Sequence, residues 1–316
     1  MLRPLAPEVD WRDLPAKRGE WRAALENAMQ ENGGAEPTIV HAFHNKAVKT
    51  LAWSGTLWRL TGKPVACVAH RGVIFRPNNF LPYLVPGIRL FAVNSRACLN
   101  TLPLLWRKNA GKVVYNGVPR SKITPDRAAE EVRAELGIAP EADVIGYVGN
   151  NAPVKGLEYL IRAFARMRTE GQVLCLVGVI EEWWTPLCEE LGILDSVRFV
   201  GRTERVADYE QIFTLFVLPS LSESSPNTLL EAMCMGLPAV CSNVGGVPEC
   251  ISDERYLVPP KDDAALAATI IAALADREAL AEAGRRNLAF SEQFSLEKKL
   301  DIMEGLYSDL LQPYSR

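Results

Sequence analysis

The chain has 316 residues, 48% hydrophobic and 23% charged, a balance that excludes a disordered or low-complexity protein and leaves room for two α/β domains. No apolar run reaches the ~18 residues of a membrane-spanning helix, and seven cysteines without a Cys-x-x-Cys pair exclude a zinc or disulfide framework. The net charge of −3 hides a split: residues 1–120 carry 17 Lys and Arg against 7 Asp and Glu, whereas residues 121–316 carry 18 against 31.

In chain order, a helix is predicted from about Glu20 to Glu31, a strand over 38–43 (TIVHAF), a helix through about Leu60 and a strand over 63–70 (KPVACVAH). The segments IRLFAVNS and KVVYNG read as two more strands, and the polar stretch Ser121–Asp126, with Pro125, reads as a hinge. Strands near 143–148, 172–177, 197–200, 214–218 and 238–242 then alternate with helical stretches, the pattern of parallel βαβ units. In the helix over 157–167, Leu157, Leu160, Ile161, Phe164 and Met167 form one apolar stripe, which is core. A last helix covers about 295–311. The expected cysteine environment is a reduced core in a cytosolic protein.

The stretch from Leu218 to Glu249 carries the chemistry. A buried strand (TLFVLPS) feeds a polar loop and then a helix (LLEAMCMG) stopped by Gly236, the place where open α/β sheets bind ligands. Glu223 lies in the loop and Glu231 in the second turn of the helix; Ser224 and Ser225 are N-cap candidates and Pro226 suits a first helical position. A helix opening there presents unpaired N–H groups to a phosphate. Asn227 and Glu231, four residues apart, share a face. The alternative for each glutamate is a solvated surface acid.

Between Pro37 and Arg120 there are twelve basic residues and no acidic one. Such a segment suits a phosphorylated acceptor or anionic lipid headgroups, with an ordinary basic surface as the alternative. Trp53, Leu57, Trp58 and Leu60, interleaved with Lys46, Lys49, Arg59 and Lys63, fit an interfacial amphipathic helix or plain core packing. No nucleic-acid motif accompanies the charge. Three histidines with no paired ligands give no convincing metal site, and no Asp-x-Asp loop is present.

The segments VNSRACLNTLPLLWRKNAGKVVYNGVP, GYVGNNAPVKGLEYLIRAFARM and LPSLSESSPNTLLEAMCMGLPAVCSNVGGVPE occur in the order of the retaining glycosyltransferases of family 4. The chain resembles that family over roughly residues 38 to 312. The resemblance implies a GT-B fold: two Rossmann-like parallel-sheet domains facing a cleft, here with the first one shortened. The expected division is an acceptor-side domain over 1–120, a nucleotide-sugar-binding domain over 121–294 and a helix over 295–316 crossing back to the first domain. MLRPLAPEVD would be the remnant of a third strand, with the first strand, helix and second strand missing through a truncated start, completion by another chain or a reduced domain. Such a sheet exposes an edge and a hydrophobic helix face.

The resemblance also implies roles. Glu223 would lie beside the donor sugar, Lys155 would offset charge on the diphosphate, and His70 would contact the sugar; these are the catalytic candidates. Glu231 would hold the ribose hydroxyls, with Gly149, Asn150, Ser224, Ser225, Pro226, Asn227, Thr228 and Arg202 completing the donor side. Gly245 and Gly246 would allow close backbone approach. Arg71 and Gly72 would serve the acceptor or its phosphate; His41 and His44 are weaker cleft candidates. No cofactor and no metal are expected beyond the nucleotide-diphosphate sugar itself. The implied protein is a cytoplasmic, metal-independent hexosyltransferase for a glycan or lipid-linked acceptor, in bacterial envelope polysaccharide or lipopolysaccharide synthesis, with a peripheral place on the inner face of the plasma membrane as one form of it. One departure bears on chemistry: the family's Arg before Lys155-Gly156 is replaced by Asn150 or Asn151, which removes a bidentate fork. A non-catalytic nucleotide-sugar-binding partner of an active transferase is the alternative, and a sugar-nucleotide epimerase a weaker third.

Overall fold

The computed structural model describes residue 15, residues 17–31, 36–43 and 45–314. The stretch MLRPLAPEVD and His44 lie outside the described residues.

The first sheet is built by α1 (Trp21–Glu31), β1 (Thr38–Ala42), α2 (Asn45–Leu60), β2 (Val65–Arg71), α3 (Leu81–Leu84), β3 (Leu90–Val93), α4 (Arg96–Asn100) and β4 (Gly111–Val113). Its four strands run parallel in the order β1-β2-β3-β4, with β1 at one edge. Successive residues of β2 point to opposite faces. Val65, Cys67 and Ala69 therefore join a core with Val48, Leu51 and Trp58 of α2, while Val68 faces the other way. Trp58 is fully buried and its indole N–H donates to Glu26 Oε1 at 2.6 Å, so this residue belongs to the core and not to an interfacial face. Trp53, Leu57 and Leu60 of the same helix are exposed.

The second sheet comprises α5 (Ala129–Glu135), β5 (Asp143–Val148), α6 (Leu157–Met167), β6 (Gln172–Val177), α7 (Glu181–Glu190), β7 (Val197–Val200), α8 (Val206–Glu210), β8 (Leu215–Leu218), α9 (Asn227–Cys234), β9 (Ala239–Ser242) and β10 (Leu257–Val258). The strand order is β10-β9-β8-β5-β6-β7, all parallel. Val144 and Val148 of β5 face one core with α9; Ile145 and Tyr147 face the other with α6. Near-continuous apolar strands follow from having both faces covered. The chain order reverses between β5 and β8. That switch point opens a crevice at the carboxyl ends of these two strands, the place where such sheets take ligands.

Two helices, α10 (Asp263–Ala275) and α11 (Arg277–Ser291), follow β10, and α12 (Leu296–Leu311) ends the described fold. Asp262, Asp276 and Ser295 cap their N-termini, accepting from Ala265 N, Ala279 N and Lys298 N. The chain crosses between the sheets twice, side by side: Val118 N donates to Phe294 O at 2.8 Å and Leu296 N to Val118 O at 3.3 Å. After this second crossing α12 lies on the first sheet, its Met303, Leu306, Tyr307 and Leu310 covering Val68, Leu90, Ala92 and Val114.

Candidate active site

The loops that follow β5 and β8 meet at the switch point. Leu221 N donates to Val154 O at 2.7 Å, tying one loop to the other. Gly156, at φ +66°, takes a left-handed turn against Pro219 O where a Cβ would collide. This places Lys155 beside Glu223: Lys155 Nζ lies 2.7 Å from Glu223 Oε1, which also accepts from Ser220 Oγ at 2.8 Å. The pair sits in the mouth of the crevice, Lys155 27% and Glu223 11% exposed at the side chain. Buried Tyr147 lies under it, its phenol pushed up by burial and then by the Glu223 charge. The Tyr147 hydroxyl donates to Asn150 O at 3.2 Å, and Gly149 lies close against it with no room for a side chain.

Helix α9 opens as expected but is capped differently. Pro226 is the N-cap residue and no side chain caps the helix, so neither Ser224 nor Ser225 fills that role and Asn227, not Pro226, is the first helical residue. Ser224 is buried and turned toward the first sheet: its hydroxyl donates to Asn94 Oδ1 at 2.5 Å and lies 3.2 Å from Ser95 Oγ. The orphan N–H groups of α9 thus remain available to a ligand. Asn227 Oδ1 accepts from Asn116 Nδ2 at 2.8 Å, and Thr228 is half-buried beside it.

Glu231 projects from the next turn of α9, and burial raises its pKa while Lys122 opposes that shift. Beneath it is Glu210, the last residue of α8, fully buried and with no hydrogen-bond partner for either oxygen among the described residues. Burial, then the Glu231 charge, pushes the Glu210 carboxyl well above the usual range.

The Gly245-Gly246 turn closes the other wall. Gly246 N donates to Glu223 O at 3.0 Å, and a Cβ on Gly245, at φ +52°, would collide with Glu223 O and lie 2.8 Å from Ile74 Cδ1 of the first sheet. Farther on, Glu249 reaches across: it accepts from Arg96 N at 2.7 Å, Ala97 N at 2.8 Å and Tyr115 Oη at 3.0 Å. This contact, like Asn94, Asn116 and Ser220, has no signature in the sequence, because each depends on the approach of two distant loops.

The remaining candidates are more dispersed. Asn151 Oδ1 is occupied by Ile180 N and Trp184 Nε1, and Asn150 Oδ1 by Ala152 N. Arg202 is exposed in the loop after β7. Gly72 abuts Asn94. Arg71 is buried, donating to Tyr83 Oη at 2.9 Å and to Phe75 O. His70 points to the α12 face, beside Phe43 (ring centroids 5.5 Å) and His41 (6.0 Å). Burial, then the Lys299 charge, holds the His70 imidazole near pKa 4, so it is neutral. His41 accompanies it, with Nδ1 2.6 Å from Tyr307 Oη. Among the described residues no group of three His, Cys, Asp or Glu is arranged to hold a metal, and no helix is long and apolar enough to cross a membrane.

Residues 128–288, which hold the whole crevice of the second sheet, match the family described as glycosyl transferases group 1. The chain belongs to that family. Among curated relatives of the chain, N-acetyl-alpha-D-glucosaminyl L-malate synthase of Bacillus anthracis is 31% identical over 242 residues, covering 74% of this chain and 63% of that protein. A D-inositol 3-phosphate glycosyltransferase of Corynebacterium efficiens is 31% identical over 311 residues, covering 88% and 72%. The chain spans 46% of the Geodermatophilus obscurus protein of the same name, so it is shorter than the relatives it matches. The fold is GT-B, as in Anabaena HepE in complex with UDP: TM-score 0.82 at 21% identity, covering 97% of this chain and 89% of that one.

Proposed function

We propose that this chain transfers a sugar from a nucleotide-diphosphate donor to an acceptor hydroxyl, with retention at the anomeric carbon. The observation that carries the reading is the Lys155–Glu223 pair set at the β5/β8 switch point, in front of the uncapped N-terminus of α9. On this reading the diphosphate lies against the α9 amides and Lys155, and Glu231 takes the ribose hydroxyls. As the bond from the anomeric carbon to the diphosphate breaks, Lys155 offsets the charge on the leaving group. Glu223 positions the sugar and stabilises positive charge on it while the acceptor attacks from the same face. Separation from Lys155 by the incoming diphosphate leaves Glu223 free for the sugar.

Family membership and the UDP and UDP-glucose held by the structural neighbour support a nucleotide sugar. The division into 1–120, 121–294 and 295–316, metal independence and a site at the inner face of the plasma membrane belong to the same proposal. An envelope glycan or lipid-linked acceptor is one form of it. The names of the relatives, with malate and inositol 3-phosphate in them, favour a smaller anionic one. The second reading, a nucleotide-sugar-binding partner without turnover, is favoured by the asparagines that stand where the family has an arginine.

Thermal melting with UDP, GDP, ADP and CMP tests the donor half. A nucleotide at a hundred times its dissociation constant adds about 2.7 kcal/mol of stability. A shift with one nucleotide, lost in Glu231→Ala, is the expected result; no shift with any of them would sink the donor site.

A further inference from the structure

Helices α6 and α7 follow the adjacent strands β5 and β6, and their first turns, with the loops before them, enclose a cavity of about 410 Å³. It lies on the α6 face of the second sheet, whereas α9, which carries Glu231, packs on the opposite face. Its walls are Trp183 and Trp184 of α7, Tyr159 of α6 and Leu221 of the loop after β8. We propose that this cavity seats a pyranose ring of a glycan acceptor, at a subsite away from the reacting hydroxyl. The proposal rests on the transferase reading above and names its acceptor class, a saccharide longer than one ring.

The lining is fixed from behind. Asn151 Oδ1 accepts from Ile180 N at 3.2 Å and from Trp184 Nε1 at 3.1 Å. These bonds tie the two loops together, set the Trp184 indole and leave the Asn151 amide nitrogen as a donor. Trp183 is 64% exposed, and Ile180 and Val154 are exposed near it. Large apolar side chains gathered in the open around a cavity mark a binding surface. An aromatic face is electron-rich and takes the C–H face of a pyranose, whose hydrogens are slightly positive. The hydroxyls of the ring then meet polar groups: the Asn151 amide, and Glu158, whose contacts with Arg162 both fall on Oε1 and leave Oε2 as an acceptor. Glu181 and Glu182, exposed in the first turn of α7, add to the negative rim, which disfavours a phosphate or an anionic headgroup. An amphipathic ring, apolar on its face and hydroxylated around its edge, is complementary to both parts.

Its position links it to the chemistry. Pro153 and Gly156 line the cavity on either side of Lys155, and Leu221 stands two residues before Glu223. Lys155 itself turns to Glu223. The same two loops thus carry the paired charges and a wall of the cavity. A ring seated here anchors a glycan beside the crevice, and this remote binding orients the reacting hydroxyl. The cavity favours the glycan form of the acceptor over the small anion that the relatives' names suggest.

The test compares the wild-type chain with Trp183→Ala and Trp183→Phe by saturation-transfer NMR observed on the ligand. The probes are the methyl glycosides of glucose, galactose, mannose and N-acetylglucosamine, with maltose, lactose and chitobiose. The melting shift with the donor nucleotide, measured on all three proteins, is the control for folding and for the donor reading. The expected result is saturable binding of at least one saccharide, weakened about tenfold or more in Trp183→Ala and close to wild type in Trp183→Phe, with the nucleotide shift intact throughout. Saccharide binding that survives Trp183→Ala, or no binding of any probe by a chain that still binds nucleotide, overturns the proposal. A nucleotide shift lost in Trp183→Ala and kept in Trp183→Phe would give the platform to the donor base, and overturns it as well. A chain that binds saccharide through Trp183 and no nucleotide would instead remove the transferase reading and leave the saccharide seat standing.

Discussion

The two sheets present opposite chemistry to the same cleft. On the second sheet the loop after β8 carries Glu223, α9 carries Glu231 and α8 ends on the hidden Glu210, with Lys155 paired to Glu223. Across the gap, the end of β2 and the loop after it carry Arg71 and Arg76, α2 adds Lys49, and no acid lies between Pro37 and Arg120. An acidic side that also offers helix amides suits a ligand rich in hydroxyls with its phosphates at one defined place. A basic side suits a ligand whose charge lies away from the reacting hydroxyl. On the proposed function the contrast separates two jobs, holding a donor and receiving an acceptor, and each should be breakable without the other.

The largest expected effect is on turnover. Glu223→Ala should lower kcat by about two to three orders of magnitude, the scale seen when a preorganised electrostatic contact is deleted, with nucleotide affinity little changed. Glu231→Ala should do the reverse, raising the nucleotide dissociation constant about tenfold or more while leaving kcat at saturation within a few-fold, as expected for loss of uniform binding. Steady-state kinetics on both variants check this; equal loss of affinity in the two would erase the division of roles.

Next is the wall between the sheets. Gly245→Val puts a side chain where Glu223 O already lies, at a φ of +52° that a β-branched residue rarely adopts. A loss of about 2–4 kcal/mol is expected from the clash and the strained conformation, seen as a lower Tm in the absence of ligand. An unchanged Tm would mean that the loop has room to move.

A smaller effect separates the sheets by pH. His41 and His70 are held near pKa 4, first by burial, with Lys299 and, for His41, the neighbouring His70 adding to it. Their folded pKa is below the unfolded value, so the stability they permit is present above about pH 6.5 and is lost as pH falls toward 4. The melting temperature should drop over that window, and His70→Asn should flatten the drop. On the second sheet Glu210 has the opposite sign: its raised pKa makes it cost stability as pH rises above the ordinary carboxylate value. Glu210→Gln should therefore raise Tm by a few degrees at pH 8, the scale of about 1–2 kcal/mol for relieving a buried unpaired polar group, and by little at pH 4. No gain at pH 8 would place a partner on Glu210.

Much of this was legible in the sequence because parallel βαβ units write their periodicity plainly. The strands of the second sheet and the stripe of α6 fall where the apolar runs and the i, i+3, i+4 spacing put them. The loops carrying Lys155 and Glu223 follow from strand ends alone, and their meeting follows from the switch point. What could not be read depends on tertiary approach. Ser224 fits a capping pattern, yet its hydroxyl is drawn to Asn94 across the cleft. Trp58 fits an amphipathic membrane helix, yet it is filled in by Glu26 of α1. Glu249 closes a turn that the motif marks, but its three donors come from the other sheet. The short β10 and α8 are too brief to leave a period.

The most direct test of the donor site is a calorimetric comparison of nucleoside diphosphate with nucleoside, for the base that stabilises the chain, across wild type, Lys155→Ala and Glu231→Ala. The account predicts that Lys155→Ala loses most of the preference for the diphosphate while binding the nucleoside as before, and that Glu231→Ala weakens both by a similar factor. Undiminished diphosphate preference in Lys155→Ala would contradict it.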